Sequence, residues 1–305
     1  MLECRKRKEH KIRMNQRNFL VPEGTRVRLK NYDPASTSEY TDEQAAKSKI
    51  REDCESLAAY QDKLMAQETE SLVLIFQAMD GAGKDGTIKH VMSSIDPQGC
   101  HVAMAEKPGE VEHKHDYLWR FIRQMPKRGQ IGIFNRSYYE EVLSTRVHPE
   151  RLEEQQLPAR LRNTKNIWRQ RFAQINNFEQ YLTENGFHVM KFFLHLSHEK
   201  QRERLLERLN EPEKHWKFSA NDIQERPHWD EYMKGYEDVL TQTSKRDAPW
   251  YVVPADQRWF SALVVADLVV AKLKSMRLRY PQPSTEDEAE LAAARKQLEG
   301  EVKKR

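Results

Sequence analysis

The 305 residues hold only three cysteines, Cys4, Cys54 and Cys100, widely spaced and odd in number. No CxxC pair or Cys/His ligand spacing occurs, so neither a disulfide framework nor a zinc site is supported. Glycine, at 11 residues, and proline, at 13, are too few for a collagenous or low-complexity chain. No apolar run approaches the roughly 18 residues of a membrane-spanning helix, so no membrane association is expected. The basic N-terminus lacks the apolar stretch that follows it in a secretory signal, and Glu3 and Glu9 are unlike a transit peptide. The cytoplasm is the expected compartment. Charge of one sign is scarce too: 51 basic residues against 47 acidic ones leave a net of +4.

What the chain does have is 6 Trp, 11 Tyr and 11 Phe, too many aromatics for a disordered chain. Its small excess of positive charge is local. Residues 1–17 hold Arg5, Lys6, Arg7, Lys8, Lys11, Arg13 and Arg17 against Glu3 and Glu9, so the remainder is essentially neutral. A solvated, flexible tail is expected there, and any anion site must come from clustering elsewhere. No nucleic-acid recognition motif is present.

Residues 18–42 are turn-rich, and a helix is expected from about Thr41 to Ala66. SLVLIFQ (71–77) is a short, nearly continuous apolar run, the pattern of a strand buried on both faces. Further strands are expected at 99–106, 131–134, 188–196 and 250–253, with a helix at 116–125. A helical stripe runs through Trp168, Phe172, Ile175, Phe178 and Leu182, and another through Leu263, Ala266, Val270 and Leu273. Strands interleaved with helices predict a three-layer, doubly wound α/β fold on a parallel five-stranded sheet. Residues 18–283 read as one domain and 284–305 as a peripheral C-terminal helix.

The most informative segment is AMDGAGKDGT, residues 78–87, directly after the first strand. A glycine-rich turn feeding a helix presents several N–H groups, and the positive end of the helix, to one anion. Backbone groups of Gly81, Ala82, Gly83, Asp85, Gly86 and Thr87 are the candidate phosphate contacts, with Lys84 as a cation. The spacing resembles a Walker A loop with Gly83-Lys84 in register. Ala78, however, replaces the first glycine, and Asp85 replaces the hydroxyl residue that holds Mg²⁺. Asp80, a carboxylate inside an anion-binding loop, makes sense if a Mg²⁺ ion lies between it and the phosphate. In IGIFNRSYYEE (131–141), Asn135 stands at the end of a strand where a carboxylate is usual. Arg136 offers a fork to a phosphoryl group, and Glu140 or Glu141 is a candidate to bind metal or orient an acceptor, or else lies on a solvated helix face.

With these motifs the chain resembles the polyphosphate kinase 2 family: AMDGAGKDGTIKHVM, KP at 107–108, HDYLWR at 115–120, GIFNRSYYEEVLSTRVHPE at 132–150, FFLHLSHEKQRERLLERL at 192–209, EPEKHWKFS at 211–219 and APWYVVPADQRWF at 248–260. The resemblance implies a P-loop kinase-like core with a helical lid, here about 198–246. It implies Mg²⁺-dependent, reversible phosphoryl transfer between inorganic polyphosphate and AMP or ADP, giving ATP, with guanine nucleotides as further candidates. Asp80 and Lys84 would serve Mg²⁺ and phosphate, and Arg136 the phosphates. The motif forms look most like class III, whose members accept both AMP and ADP. A homo-oligomer is the expected assembly.

Beside the resemblance, Lys200, Arg204 and Arg208 recur every four residues and make one basic row beside an acidic one, Glu199, Glu203, Glu207 and Glu211. A lid face that covers phosphates, with Lys214 and Lys217 beyond it, competes with a solvated face held by i, i+3 pairs. Lys107, Arg120, Arg123, Lys127 and Arg171 are further candidates to line a channel for a phosphate chain. His113, His115, His195 and His198 read as packing or surface residues, and Trp168, Phe172 and Phe178 as core. Pro254-Ala255-Asp256 either borders a base or is simply a turn. The rival readings are an ATP-dependent small-molecule kinase and a non-enzymatic polyanion binder using the tail. Removing residues 1–17 separates the latter: an enzyme keeps its turnover, whereas a tail-dependent binder loses retention on immobilised polyanion.

Overall fold

The computed structural model describes residues 14–161 and 164–302. Most of the basic tail, residues 1–13, lies outside the described residues, as do 303–305. Leu20–Val21 form β1, Glu43–Gln67 α1, Ser71–Gln77 β2 and Lys84–Val91 α2. Cys100–Met104 form β3 and Ile131–Asn135 β4, followed by α3 (Thr164–Glu184) and β5 (Phe187–His195). Then come α4 (His198–Asn210), α5 (Ala220–Glu225), α6 (Trp229–Thr243), β6 (Trp250–Pro254), α7 (Arg258–Ser275) and α8 (Thr285–Val302).

The sheet order is β1-β6-β5-β2-β4-β3, with β2 to β6 all parallel. The five expected strands are all there, and a sixth, β1, adds to the edge antiparallel to β6 through Leu20 opposite Tyr251. Two residues inside a turn-rich stretch carry no readable alternation. They become a strand only because a partner more than two hundred residues away supplies the hydrogen bonds. The expected helix at 116–125 shrinks to one turn, Trp119–Ile122. Asp116 diverts the start by accepting the Leu118 N–H at 2.9 Å, a local bond that competes with helix, and Pro126 closes the segment.

All seven residues of β2 are buried, because helices cover both faces. Leu72, Leu74 and Phe76 meet one core with α1, α2 and α7. Val73 and Ile75 meet the other, with Phe172 and Ile175 of α3 and Tyr236, Val239 and Leu240 of α6. The strand at the centre has its neighbours' crossovers leaving in opposite directions, so the crevice at its C-terminal end opens at Gln77 and Asn135, where ligands bind in such sheets.

The chain is anchored earlier than the sequence predicts. Met14 is buried in the first core, and Gln16 donates to Asp267 Oδ2 at 2.7 Å. Residues 14–17 are therefore not part of a solvated tail, and truncation after residue 13 is the cleaner test of the role of the basic N-terminus. The α8 helix is exposed along its described length, with Ser284 and Asp287 capping its start.

Close packing of β4 depends on Gly132. A Cβ added there would lie 2.6 Å from Cγ of Pro126, a rigid ring. Gly132→Ala is expected to destabilise the protein by about 1–3 kcal/mol through overpacking, read as a lower urea midpoint with unchanged slope.

Candidate active site

Beyond β2 the chain turns through Ala78–Gly83 into α2. Gly81 and Gly83 adopt φ of 87° and 94°, left-handed values that favour glycine. The turn brings Lys84 back on its own loop: its ammonium donates to the Ala78 carbonyl at 3.0 Å and lies 4.0 Å from Asp80 Oδ1. Burial lowers the Lys84 pKa, with Asp80 opposing that shift. Ala78, where a glycine was expected, is buried and contributes the carbonyl that seats Lys84.

Arg136 follows β4 and takes a left-handed φ of 65°. Such a conformation costs a side-chain-bearing residue roughly 1–3 kcal/mol and needs its surroundings to hold it. Its N–H continues the ladder by donating to the Phe76 carbonyl at 3.1 Å, while its guanidinium pairs with Asp80 Oδ1. Burial alone would raise the Asp80 carboxyl, but Lys84 and Arg136 outweigh it and hold the pKa below the usual range. Arg136 binds its proton more tightly than a free arginine, because Glu140 and then Asp80 face it. Asp85, in the Ser/Thr position, accepts from Asn135 Nδ2 at 2.7 Å.

The two glutamates separate. Burial raises the Glu140 pKa, with Arg136 and Lys84 opposing. With the Gln77 amide oriented to satisfy both its ends, Gln77 donates to Glu140 Oε1 at 3.0 Å and accepts from the Ser137 N–H at 3.1 Å. Glu141 instead ties structure together: it meets Arg120 at 3.4 Å and Arg171 at 3.6 Å, and its carbonyl accepts from Arg171 at 2.7 Å.

Two clefts meet at this point. One, of about 970 Å³, runs along the loop and α2 and is edged by Lys200, Lys214, Trp216 and Lys217. The second, of about 380 Å³, is bordered by Lys107, Arg120, Glu140 and Tyr232. Asp80 and Arg136 belong to both. The loop residues Gly81, Gly83, Asp85, Gly86 and Thr87 and Asn135 all border the larger cleft.

Several expected anion contacts are used otherwise. Arg204 is 3% exposed, and its four terminal N–H groups go to carbonyls. Two bonds of 3.0 Å reach Gly81 and Ala82, and bonds of 2.7 Å and 3.0 Å reach Ala255 and Asp256. Burial, with Arg258 nearby, lowers its pKa to about 10. The basic row is therefore not one open face. Arg204 braces the loop from behind, Arg208 pairs with Asp222 at 2.8 Å, and Lys200 pairs with Glu203 at 2.5 Å. The reason is position: helix α4 packs against the loop, and only carbonyls are within reach of Arg204. Arg171 is sealed behind Glu141 and stacks on Tyr117 with its guanidinium 4.7 Å from the ring centroid, so it is withdrawn from phosphate. Arg120 is mostly committed to Glu141 and to the Glu106 carbonyl at 2.7 Å. Ala82 is buried, and Pro254-Ala255-Asp256 forms a scaffold turn on the loop side.

Gln201, which carries no readable signal in the sequence, bridges two parts of the site. It donates to the Asp80 carbonyl at 2.8 Å and accepts from Arg226 at 2.7 Å. Among the described residues no helix is long and apolar enough to cross a membrane.

A phosphate-binding loop at the C-terminal edge of a parallel sheet, beside a second cleft sharing the same carboxylate and guanidinium, defines a P-loop kinase-like phosphotransferase. Residues 40–281 match the family model for Polyphosphate kinase 2 (PPK2). The chain is 44% identical to an ADP-polyphosphate phosphotransferase of Rhodopseudomonas palustris, covering 94% of this chain and 99% of that protein. It is 40% identical to an AMP/ADP-polyphosphate phosphotransferase of Meiothermus ruber, over 88% and 96%. A crystal structure of polyphosphate kinase 2 from Arthrobacter aurescens TC1 superposes with a TM-score of 0.81 at 37% identity, covering 90% of this chain and 95% of that one. The chain belongs to the polyphosphate kinase 2 family.

Arg204→Ala removes a buried cation from four carbonyls. It is expected to lower stability by about 2–4 kcal/mol and to lower the melting temperature together with activity. The salt dependence of KM for an anionic substrate should stay unchanged. A flattened salt profile with full stability would mean that Arg204 contacts the substrate.

Proposed function

We propose that this chain transfers a phosphoryl group between inorganic polyphosphate and AMP or ADP, forming ATP, and that Mg²⁺ assists. The observation that carries the reading is the meeting of two clefts at Asp80 and Arg136. A larger cleft edged by Lys200, Lys214 and Lys217 suits a long polyanion, and the smaller one has the size of a nucleotide site. Donor and acceptor phosphates brought in from the two sides would meet at one guanidinium.

The residues present fit Mg²⁺. Asp80 offers a hard oxygen in the crevice, and this ion commonly takes one or two carboxylates plus substrate phosphates. Among the described residues no group of three or more His, Cys, Asp or Glu converges, so an ion held by Asp80 would take its other ligands from substrate phosphates and water. When bound, the ion would neutralise charge on phosphate oxygens.

The chain's own residues supply position and charge. The N–H groups of the loop and the start of α2 hold an anion, and Lys84 is seated at the bend by the Ala78 carbonyl. Phosphate that displaces Asp80 from Arg136 takes over a guanidinium already oriented toward both clefts. Glu140, half-buried and bordering the second cleft, sets a negative charge near that guanidinium. Closure of the segment from α4 to α6 excludes water, which otherwise competes for the phosphoryl group. The use of AMP as well as ADP, the class III pattern, rests on the motif forms and on the two-nucleotide name of the Meiothermus relative.

Incubation with Mg²⁺, polyphosphate and either AMP or ADP, without a nucleotide triphosphate donor, should yield ATP from both. Product from neither overturns the reading, and product from ADP alone overturns the class. Asp80→Asn and Lys84→Ala should each reduce turnover about a hundredfold or more with circular dichroism unchanged.

A further inference from the structure

Behind the active site lies a charged group that the mechanism does not use. Lys191 sits in the middle of β5, in register with Ile75 and Trp250, and is fully buried. Its three donors are all taken. They go to Glu179 of α3, to the Thr243 carbonyl at the end of α6 at 2.7 Å, and to the Tyr139 hydroxyl at 3.2 Å. Glu179 Oε1 in turn accepts the hydroxyls of Tyr138 at 2.9 Å and Tyr139 at 2.8 Å. Trp250 completes the cage by donating to Thr243 Oγ1 at 2.9 Å.

Stability alone does not explain such a pair. Well-packed apolar residues of similar volume often do as well or better in its place. Its partners supply another reason. Tyr138 and Tyr139 are the first residues of the 3-10 turn Tyr138–Glu141, between Arg136 and Glu140. Both phenols point down into the second core, while Arg136 and Glu140, at the two ends of this stretch, border the smaller cleft. Pinning both hydroxyls on one carboxylate oxygen fixes the height and rotation of that turn. From above, Gln77 holds Glu140 and Ser137. The strained φ of Arg136 requires this kind of over-determination. Burial keeps both phenols protonated, since it raises their pKa well above that of free tyrosine, so they remain donors.

We infer that the buried Lys191–Glu179 pair is a positioning device for the active site, which sets Arg136 and Glu140 through the hydroxyls of Tyr138 and Tyr139. The inference rests on the reading of this crevice as the site of phosphoryl transfer.

The test uses two forms of the full chain. Tyr138→Phe with Tyr139→Phe removes only two oxygens. Adding Glu179→Leu and Lys191→Met removes the charged pair as well, which keeps the fold testable if the first form is left with an unsatisfied carboxylate. In both, kcat is expected to fall about tenfold, since small misplacements of a positioned group are costly, while KM for polyphosphate and nucleotide stays within about twofold. The four-substituted form should melt at or above the parent temperature. Amide exchange at Glu140 and Val142, whose N–H groups close the turn on Ser137 and Tyr139, should quicken about tenfold, with β5 still protected. A folded variant with the parent kcat overturns the inference, and so does parent-like amide protection in the turn. Absence of polyphosphate-driven product from the unaltered chain overturns the functional reading instead, and the exchange measurement still decides the anchor.

Discussion

Asp80 places a negative charge in the turn that leads into the N-terminus of α2, the end of a helix that favours anions. Left alone it would repel any phosphate placed there, and much of the surrounding structure answers that problem. Arg136 reaches it from the end of the neighbouring strand β4, and Lys84 folds back to within 4.0 Å. The pairing requires Arg136 to leave β4 in a left-handed conformation, and that in turn requires a rigid turn after it. The carboxylate thus stands ionised and oriented between two clefts.

Cations in this protein divide into those that face the crevice and those that build it. Arg204, Arg171 and Lys191 are each at most 3% exposed. Each is satisfied by carbonyls, a carboxylate or both, and none is free to hold substrate. Lys200, Lys214 and Lys217 border the larger cleft, with Lys200 paired to Glu203 and Lys214 to Glu211.

Much of this was legible in the sequence. The apolar run of β2, the glycines at 81 and 83 and the lysine after them are local signals, because strand burial and left-handed turns leave their mark within a few residues. Asp80 and Arg136 stood out as charges where a phosphate loop and a strand end have little room for accident. Arg204 is buried against carbonyls and not on an open face, while Arg208 borders the larger cleft paired with Asp222. Their spacing described one helix face truly, but periodicity cannot tell whether that face meets solvent, substrate or the backbone of another segment. Lys191 lay in plain view as a charge inside an apolar strand, and Glu179 sat at helical spacing from Ile175 and Leu182. What could not be read was that two tyrosines fifty residues earlier close the pair.

By itself, then, the sequence determined the order and type of the main elements, the phosphate-binding turn and the residues at its two ends, since each depends on neighbours along the chain. The tertiary structure alone decided the edge strand β1, the bracing of the loop by Arg204, the parting of Glu140 from Glu141 and the anchor beneath the turn. Those depend on which donors and acceptors are brought within about 3 Å across long separations, a range at which hydrogen bonds discriminate sharply and along-chain periodicity carries no information.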